Sequence, residues 1–297
     1  LAAVLSAVGL TKRFGDITAV SDLSFDVDAG TVTGFLGPNG AGKTTTMRML
    51  LGLAEPTHGR ALVFGRPFAE LDRPGSRVGA VLEAADLHPG RTARDHLRVL
   101  APVAHVPVSR VDEVLALVDL KSAADRRTKG YSLGMRQRLS LAAALLGDPE
   151  ILILDEPANG LDPEGVRWLR DFLRAFAAEG RTVFVSSHLL AEVAQTVDQV
   201  VIISRGRLVV ESPLDVLTAR LTGTIRVQAV QPDVLQLALR NAGVAAEREN
   251  GTLHVHGTTA ERIGEIALAS HVELRQLVTE STTLEDVFLE LTAERPS

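Results

Sequence analysis

Two segments near the start of the chain alternate between apolar and polar residues. Val4-Leu5-Ser6-Ala7-Val8 and Leu23-Ser24-Phe25-Asp26-Val27 show the period of two that marks half-buried strands, and Asp28-Ala29-Gly30 turns the chain after the second. Residues 4–30 are therefore expected to form an antiparallel β unit. Arg60-Ala61-Leu62-Val63-Phe64 is a further strand-like run, closed by Gly65 and Pro67. Other segments are β-branched and apolar without regular alternation: residues 31–36, 77–82, 151–154 and 182–187 read as buried strands. From 92 to 146 the pattern changes. Residues 92–101, 109–118 and 134–147 carry apolar positions at helical spacing, which predicts an all-helical insertion over about 88–147. Pro163 opens a helix over 164–178 that Gly180 ends, and 189–197 reads as helical. Residues 200–203 and 207–210 read as strands paired across Ser204-Arg205-Gly206. Strands alternating with helices predict an α/β fold with a mixed, largely parallel sheet covered on both faces.

After Arg220 the pattern restarts. Strand-like residues 224–230, 244–248, 253–256 and 273–278 interleave with helical 233–241 and 259–269, and 284–291 adds a last helix. That is βαββαβ plus a terminal helix, the order of a ferredoxin-like α+β domain. The chain is thus expected to divide into a first domain at 1–220 and a small C-terminal domain at 221–297.

Composition narrows the classes. The chain has 297 residues, 45% hydrophobic and 23% charged, enough for two compact units. Its net charge of −6 gives no general attraction to nucleic acid. With no cysteine, disulfides, a thiol nucleophile and a cysteine zinc site are excluded. No uncharged apolar run approaches the roughly 18–20 residues of a membrane span. Leu1 to Leu10 lacks a basic lead-in and reads as a first strand rather than a leader. The expectation is a cytoplasmic chain, or one held at a membrane by a partner.

The chemistry centres on Gly37-Pro38-Asn39-Gly40-Ala41-Gly42-Lys43-Thr44-Thr45, which fits the phosphate-loop pattern between a strand and a helix. Its glycines let backbone approach a ligand closely, and the N–H groups at the helix start favour phosphate. Lys43 is placed to reach the β- and γ-phosphates and the Thr44 hydroxyl to hold Mg²⁺. Glu83, Asp155, Glu156 and His188 all follow predicted strands, where ligands sit in such sheets. Asp155 is the candidate for Mg²⁺, Glu156 for orienting or deprotonating the attacking water, and His188 for the γ-phosphate or that water. Phe14 has two readings, a hairpin core residue or an aromatic face for an adenine ring. Ser132 with Gly134 fits a second phosphate contact at a helix start, but also an ordinary N-cap, and Asp162 before Pro163 reads as an N-cap. His254, His256 and His271 have no carboxylate cluster at ligand spacing, so no metal site is expected there.

In order, the phosphate loop, Tyr131-Ser132-Leu133-Gly134-Met135-Arg136-Gln137-Arg138-Leu139, Ile151-Leu152-Ile153-Leu154-Asp155-Glu156-Pro157, Asn159-Gly160-Leu161-Asp162-Pro163 and Ser186-Ser187-His188 resemble the nucleotide-binding subunits of ATP-binding cassette (ABC) transporters. The resemblance covers about residues 4–220. The end of the chain, with Thr283-Leu284-Glu285-Asp286-Val287-Phe288, looks like the C-terminal extension of the bacterial daunorubicin and bacitracin exporter branch. It implies an ATPase that binds two ATP with Mg²⁺ between two copies in a head-to-tail dimer. It also implies a separate multi-span permease, export of a drug or other small hydrophobic cargo, and a place on the cytoplasmic face of the membrane. Within it Phe14 matches the adenine-stacking aromatic, usually Tyr, and Ser132 and Gly134 fall in the signature motif that completes the partner copy's site. Asp162 matches an acid that couples the two sites, and His188 the switch histidine. Three positions depart from the family pattern. Glu83 stands for a Gln that touches Mg²⁺, water and the permease, Leu133 for a Gly and Met135 for a Gln. The alternatives are a soluble ABC ATPase acting on ribosomes or DNA, a regulatory module with a dead site, or transport of a lipid or polysaccharide.

Overall fold

The computed structural model describes residues 3–82, 87–189, 193–219, 224–249 and 251–280. They form two compact units, the first running to Leu214 and the second starting at Asp215.

In the first unit, β1 (Ala3–Phe14) and β2 (Ile17–Asp28) form the expected antiparallel pair. The run near residue 60 becomes β4 (His58–Val63), which joins the other edge of β1 with Leu5 opposite Val63. Phe64 leaves this strand at φ 50 and begins a turn. A second, six-stranded sheet has the order β5-β6-β7-β3-β8-β9. It contains β3 (Val32–Leu36), β5 (Val78–Val81), β6 (Ile151–Leu154), β7 (Thr182–Ser187), β8 (Gln199–Ser204) and β9 (Arg207–Pro213). The first five strands are parallel, and β9 closes the edge antiparallel to β8. β3, β6 and β7 are buried along their whole length, which explains why none of them alternates regularly between apolar and polar residues.

The two sheets share a core. The rings of Phe25, Phe35 and Phe184 lie 5.0–5.7 Å apart, one from β2 and two from the parallel sheet. α1 (Lys43–Leu50) buries Met47, Met49 and Leu50 in the same cluster. The one-turn α2 (Pro74–Arg77) leads into β5, and the segment between β5 and β6 carries α3 (Ala93–Leu100), α4 (Ser109–Leu117) and α5 (Leu133–Leu145). α5 lies tight on β5, where a Cβ at Gly79 would come within 2.4 Å of the Ala144 carbonyl. α6 (Pro163–Ala178) covers the sheet with Leu169, Leu173 and Phe176. The helix expected over 189–197 falls partly outside the described residues. A short helix that periodicity did not single out, α7 (Leu214–Ala219), follows β9.

The second unit is β10 (Thr224–Ala229), α8 (Pro232–Asn241), β11 (Ala246–Glu249), β12 (Thr252–Val255), α9 (Ala260–Ala269) and β13 (Leu274–Glu280). Its sheet order, β11-β12-β10-β13 and antiparallel throughout, is that of a ferredoxin-like fold. Ile225, Val227, Leu253 and Val255 pack against Leu235, Leu239, Ile263 and Ile266. The helix expected over 284–291 lies outside the described residues. Among the described residues no helix is long and apolar enough to cross a membrane.

Phe184 is fully buried at the centre of the aromatic trio, so Phe184→Ala is expected to destabilise the first unit by about 3–5 kcal/mol. Denaturant unfolding checks this.

Candidate functional site

The site begins where β3 ends. The chain leaves Leu36, turns through residues 37–42 and enters α1 at Lys43. The loop is pressed against its own protein. A Cβ at Gly37 would lie 2.5 Å from the Ile203 carbonyl, and one at Gly42, which has φ 103, would lie 2.6 Å from the Ala19 carbonyl. These two glycines therefore serve backbone-to-backbone packing as well as any approach to a ligand. Gly40, also at positive φ, has open space around it. The β8–β9 turn holds the loop from behind: Gly206 N–H donates to the Ala41 carbonyl at 2.9 Å, and the Gly206 carbonyl accepts from Ser21 N–H at 2.9 Å. Pro38, Asn39 and Gly40 are exposed at the tip, Ala41 and Gly42 are buried, and Thr44 and Thr45 are half-buried.

Lys43 is buried and donates to the Gly37 carbonyl at 2.6 Å, with Pro38 O at 3.4 Å. Its ammonium also lies 3.2 Å from Glu156 Oε1. That oxygen is buried and has no hydrogen bond of good geometry, so the lysine charge is its compensation. The other oxygen, Glu156 Oε2, is 2.9 Å from His188 Nδ1. Glu156 adopts φ 48, a left-handed conformation that costs a non-glycine residue about 1–3 kcal/mol. Asp155 precedes it at the tip of β6. Its backbone N–H continues the sheet to the Val81 carbonyl, its Oδ2 accepts from the Thr44 hydroxyl at 2.5 Å, and its Oδ1 accepts from the Ser186 hydroxyl at 2.5 Å. Ser186 also accepts from the Glu156 N–H at 2.9 Å. Sequence reasoning passed over Ser186. The available signal was a polar residue inside an apolar strand, one strand away from the acids.

Lys43, Thr44, Asp155, Glu156 and His188 therefore meet in one place. Glu83 lies outside the described residues. Thr44 and Asp155 offer two hard oxygen donors beside the loop, and among the described residues no group of three or more His, Cys, Asp or Glu could hold a metal. Such a pair suits Mg²⁺, which is commonly held by one or two protein oxygens together with substrate phosphates.

The remaining candidates lie elsewhere. Phe14 is 54% exposed, which removes the hairpin-core reading, and Lys12 Nζ sits 5.0 Å from its ring centre. Ser132 caps α5 by accepting from Met135 N–H at 3.2 Å, and Asp162 caps α6 by accepting from Gly165 N–H at 2.8 Å. Ser132, Gly134 and Asp162 line one cleft of about 360 Å³, which includes no phosphate-loop residue. Leu133 crosses to this second loop, and a Cβ on Gly160 would strike its side chain at 2.2 Å. Tyr131 anchors the start of α5. Its hydroxyl donates to the Ala123 carbonyl at 2.6 Å, and burial pushes its pKa up.

A lysine-bearing loop between a buried parallel strand and a helix, facing carboxylates at the end of a parallel strand two places away in the sheet, places the first unit among the phosphate-loop nucleoside triphosphatases. Residues 20–159 match the ABC transporter family, and 223–285 match a domain of unknown function (DUF8746). The chain is 34% identical to the bacitracin transport ATP-binding protein BcrA of Bacillus licheniformis, over 98% of each chain. It is 36% identical to the Nod factor export ATP-binding protein I of Burkholderia lata, covering 95% of this chain and 94% of that one. A solved structure of an ATP-binding subunit of an ABC transporter superposes with a TM-score of 0.66 at 27% identity, covering 73% of this chain and 92% of the other. The chain belongs to the ABC transporter family. It is an ATP-binding subunit with ATPase activity.

Lys43→Ala is expected to lower ATP hydrolysis by at least about 10²-fold while the fold is kept. Phosphate release, fluorescent-nucleotide titration and circular dichroism check this.

Proposed function

We propose that the chain is the ATP-hydrolysing subunit of an export complex. Two copies close head to tail around two ATP and drive a separate membrane permease, whose cargo is a drug, an antibiotic or another small hydrophobic molecule. The subunit works at the cytoplasmic face of the membrane, held there by the permease. Residues 1–220 act as the ATPase domain and 221–297 as an accessory domain. The observation that carries the reading is the division of the candidate residues into two groups. Lys43, Thr44, Asp155, Glu156 and His188 gather at the phosphate loop, while Ser132, Gly134 and Asp162 line a cleft without loop residues. Each copy thus carries two half-sites, and a head-to-tail pair makes each whole. The similarity to bacitracin and Nod factor transport subunits supports export.

The chemistry follows from the side chains. Loop N–H groups from Gly37 to Thr45 cradle the phosphates, and Phe14 stacks on the base. Thr44 and Asp155 would hold Mg²⁺, which would supply charge neutralisation at the phosphates. Lys43 exchanges Glu156 for the β- and γ-phosphate oxygens. Glu156 is then free to take a proton from water as its oxygen attacks the γ-phosphorus. The bond to the bridging oxygen breaks, and ADP leaves with that oxygen. His188 holds Glu156 Oε2 and steadies the base.

Glu156→Gln is expected to keep ATP binding, lower hydrolysis about 10²–10⁴-fold and trap a dimer visible by size-exclusion chromatography. Full hydrolysis by this variant contradicts the assignment of the base. The exposed Val99, Val103 and Val108 of the helical insertion support it as the permease-docking surface. Val103→Asp is expected to reduce copurification with a multi-span membrane protein and leave phosphate release by the isolated subunit unchanged.

A further inference from the structure

We propose that Ser186 is a positioning residue for hydrolysis: its single hydroxyl ties Asp155 and Glu156 together and fixes where the base points. This rests on the reading of Glu156 as the base.

Ser186 lies on β7, next to β6 in the sheet, where Leu154 pairs with Val185. It is 1% exposed, so water does not compete for its hydroxyl. A hydroxyl has one proton to give. Here that proton goes to Asp155 Oδ1 at 2.5 Å, which turns a lone pair toward the Glu156 N–H at 2.9 Å. The two bonds reach consecutive residues from a strand that neither belongs to. They act on the peptide where the chain leaves β6 and enters the left-handed turn at Glu156. Set there, the Glu156 side chain reaches back between Lys43 and His188. Without the hydroxyl, a buried amide and a buried carboxylate oxygen each lose a partner. The peptide is then released to turn, and the carboxylate moves with it. A displacement of about 1 Å in a group that must meet an attacking water costs on the order of 10²-fold in rate.

Ser186 has no hydrogen bond to Lys43, Thr44 or the loop among those described. Its removal is therefore expected to affect turnover and not metal-free nucleotide affinity, a split that general destabilisation does not produce. The conservative rescue is available. A cavity of about 30 Å³ is lined by Ser186, Glu156 and Pro157 among others, and threonine keeps the hydroxyl while adding one methyl group.

The test uses the full chain and four variants: Ser186→Ala, Ser186→Cys, Ser186→Thr and Glu156→Gln. The readouts are kcat and KM for ATP, the Kd of a fluorescent ATP analogue measured in EDTA, and thermal unfolding. Ser186→Ala is expected to lose about 10- to 100-fold in kcat, with the metal-free Kd within about threefold of wild type. Ser186→Thr is expected to recover to within about threefold of wild-type kcat. Ser186→Cys, with a weaker donor, is expected to remain slow. It replaces the alanine variant in the comparison if that one fails to fold. A Ser186→Ala protein with wild-type kcat, beside an inactive Glu156→Gln, overturns the proposal and leaves the base assignment standing. Parallel loss of affinity and turnover without rescue by threonine also overturns it, since that pattern marks a purely structural serine. Wild-type hydrolysis by Glu156→Gln overturns the base reading itself, and the proposal with it.

Discussion

Backbone lies directly against backbone at the phosphate loop, and the site depends on that contact. Gly37 meets the Ile203 carbonyl and Gly42 the Ala19 carbonyl with no room for a side chain, while Gly206 bonds to Ala41 and Ser21. Three elements far apart in sequence are thereby brought to one point: the β-hairpin sheet, the phosphate loop and the β8–β9 turn. The aromatic trio of Phe25, Phe35 and Phe184 seals the same junction from within. The loop is rigid because its neighbours leave it one shape, and a rigid loop presents its N–H groups without further ordering cost.

On this frame the charges compensate one another before any substrate arrives. Lys43 faces Glu156, and Asp155 is satisfied by two hydroxyls. A buried lysine without a counter-charge would be costly, and so would a buried carboxylate without donors. Each group has a temporary partner that a phosphate or a metal ion of the right charge can replace. Binding then exchanges one set of charge contacts for another, and the penalty for desolvating these groups has already been met in folding.

Much of this was legible in the residues. The parallel strands announced themselves through mostly apolar runs with no regular alternation, because burial on both faces asks for none. The acids stood at strand ends because ligands gather there. What was not legible was pairing. Nothing in residues 58–63 says that β4 joins β1, since a strand's own alternation sets its face and not its neighbour. Phe14 was ambiguous because an aromatic at a hairpin end suits either a core or a ligand, and only its exposure separates the two. α7 is one and a half turns long, too short for its periodicity to show. Ser186 was hidden because its role is set across strands, by geometry that no local pattern carries.

The connection between β5 and β6 has a longer consequence. These strands are adjacent and parallel, with Val78 opposite Ile151, so the chain leaves the sheet and returns beside its point of departure. α5 is committed to the sheet through Gly79, while α3 and α4 before it bury Leu97, Val111, Val114 and Leu115. Helices in that stretch can be lengthened, trimmed or exchanged over evolutionary time while the strand register that places Asp155 stays fixed. The strand register behind the hydrolytic site and the helices proposed to dock the permease are thus separable parts of the chain.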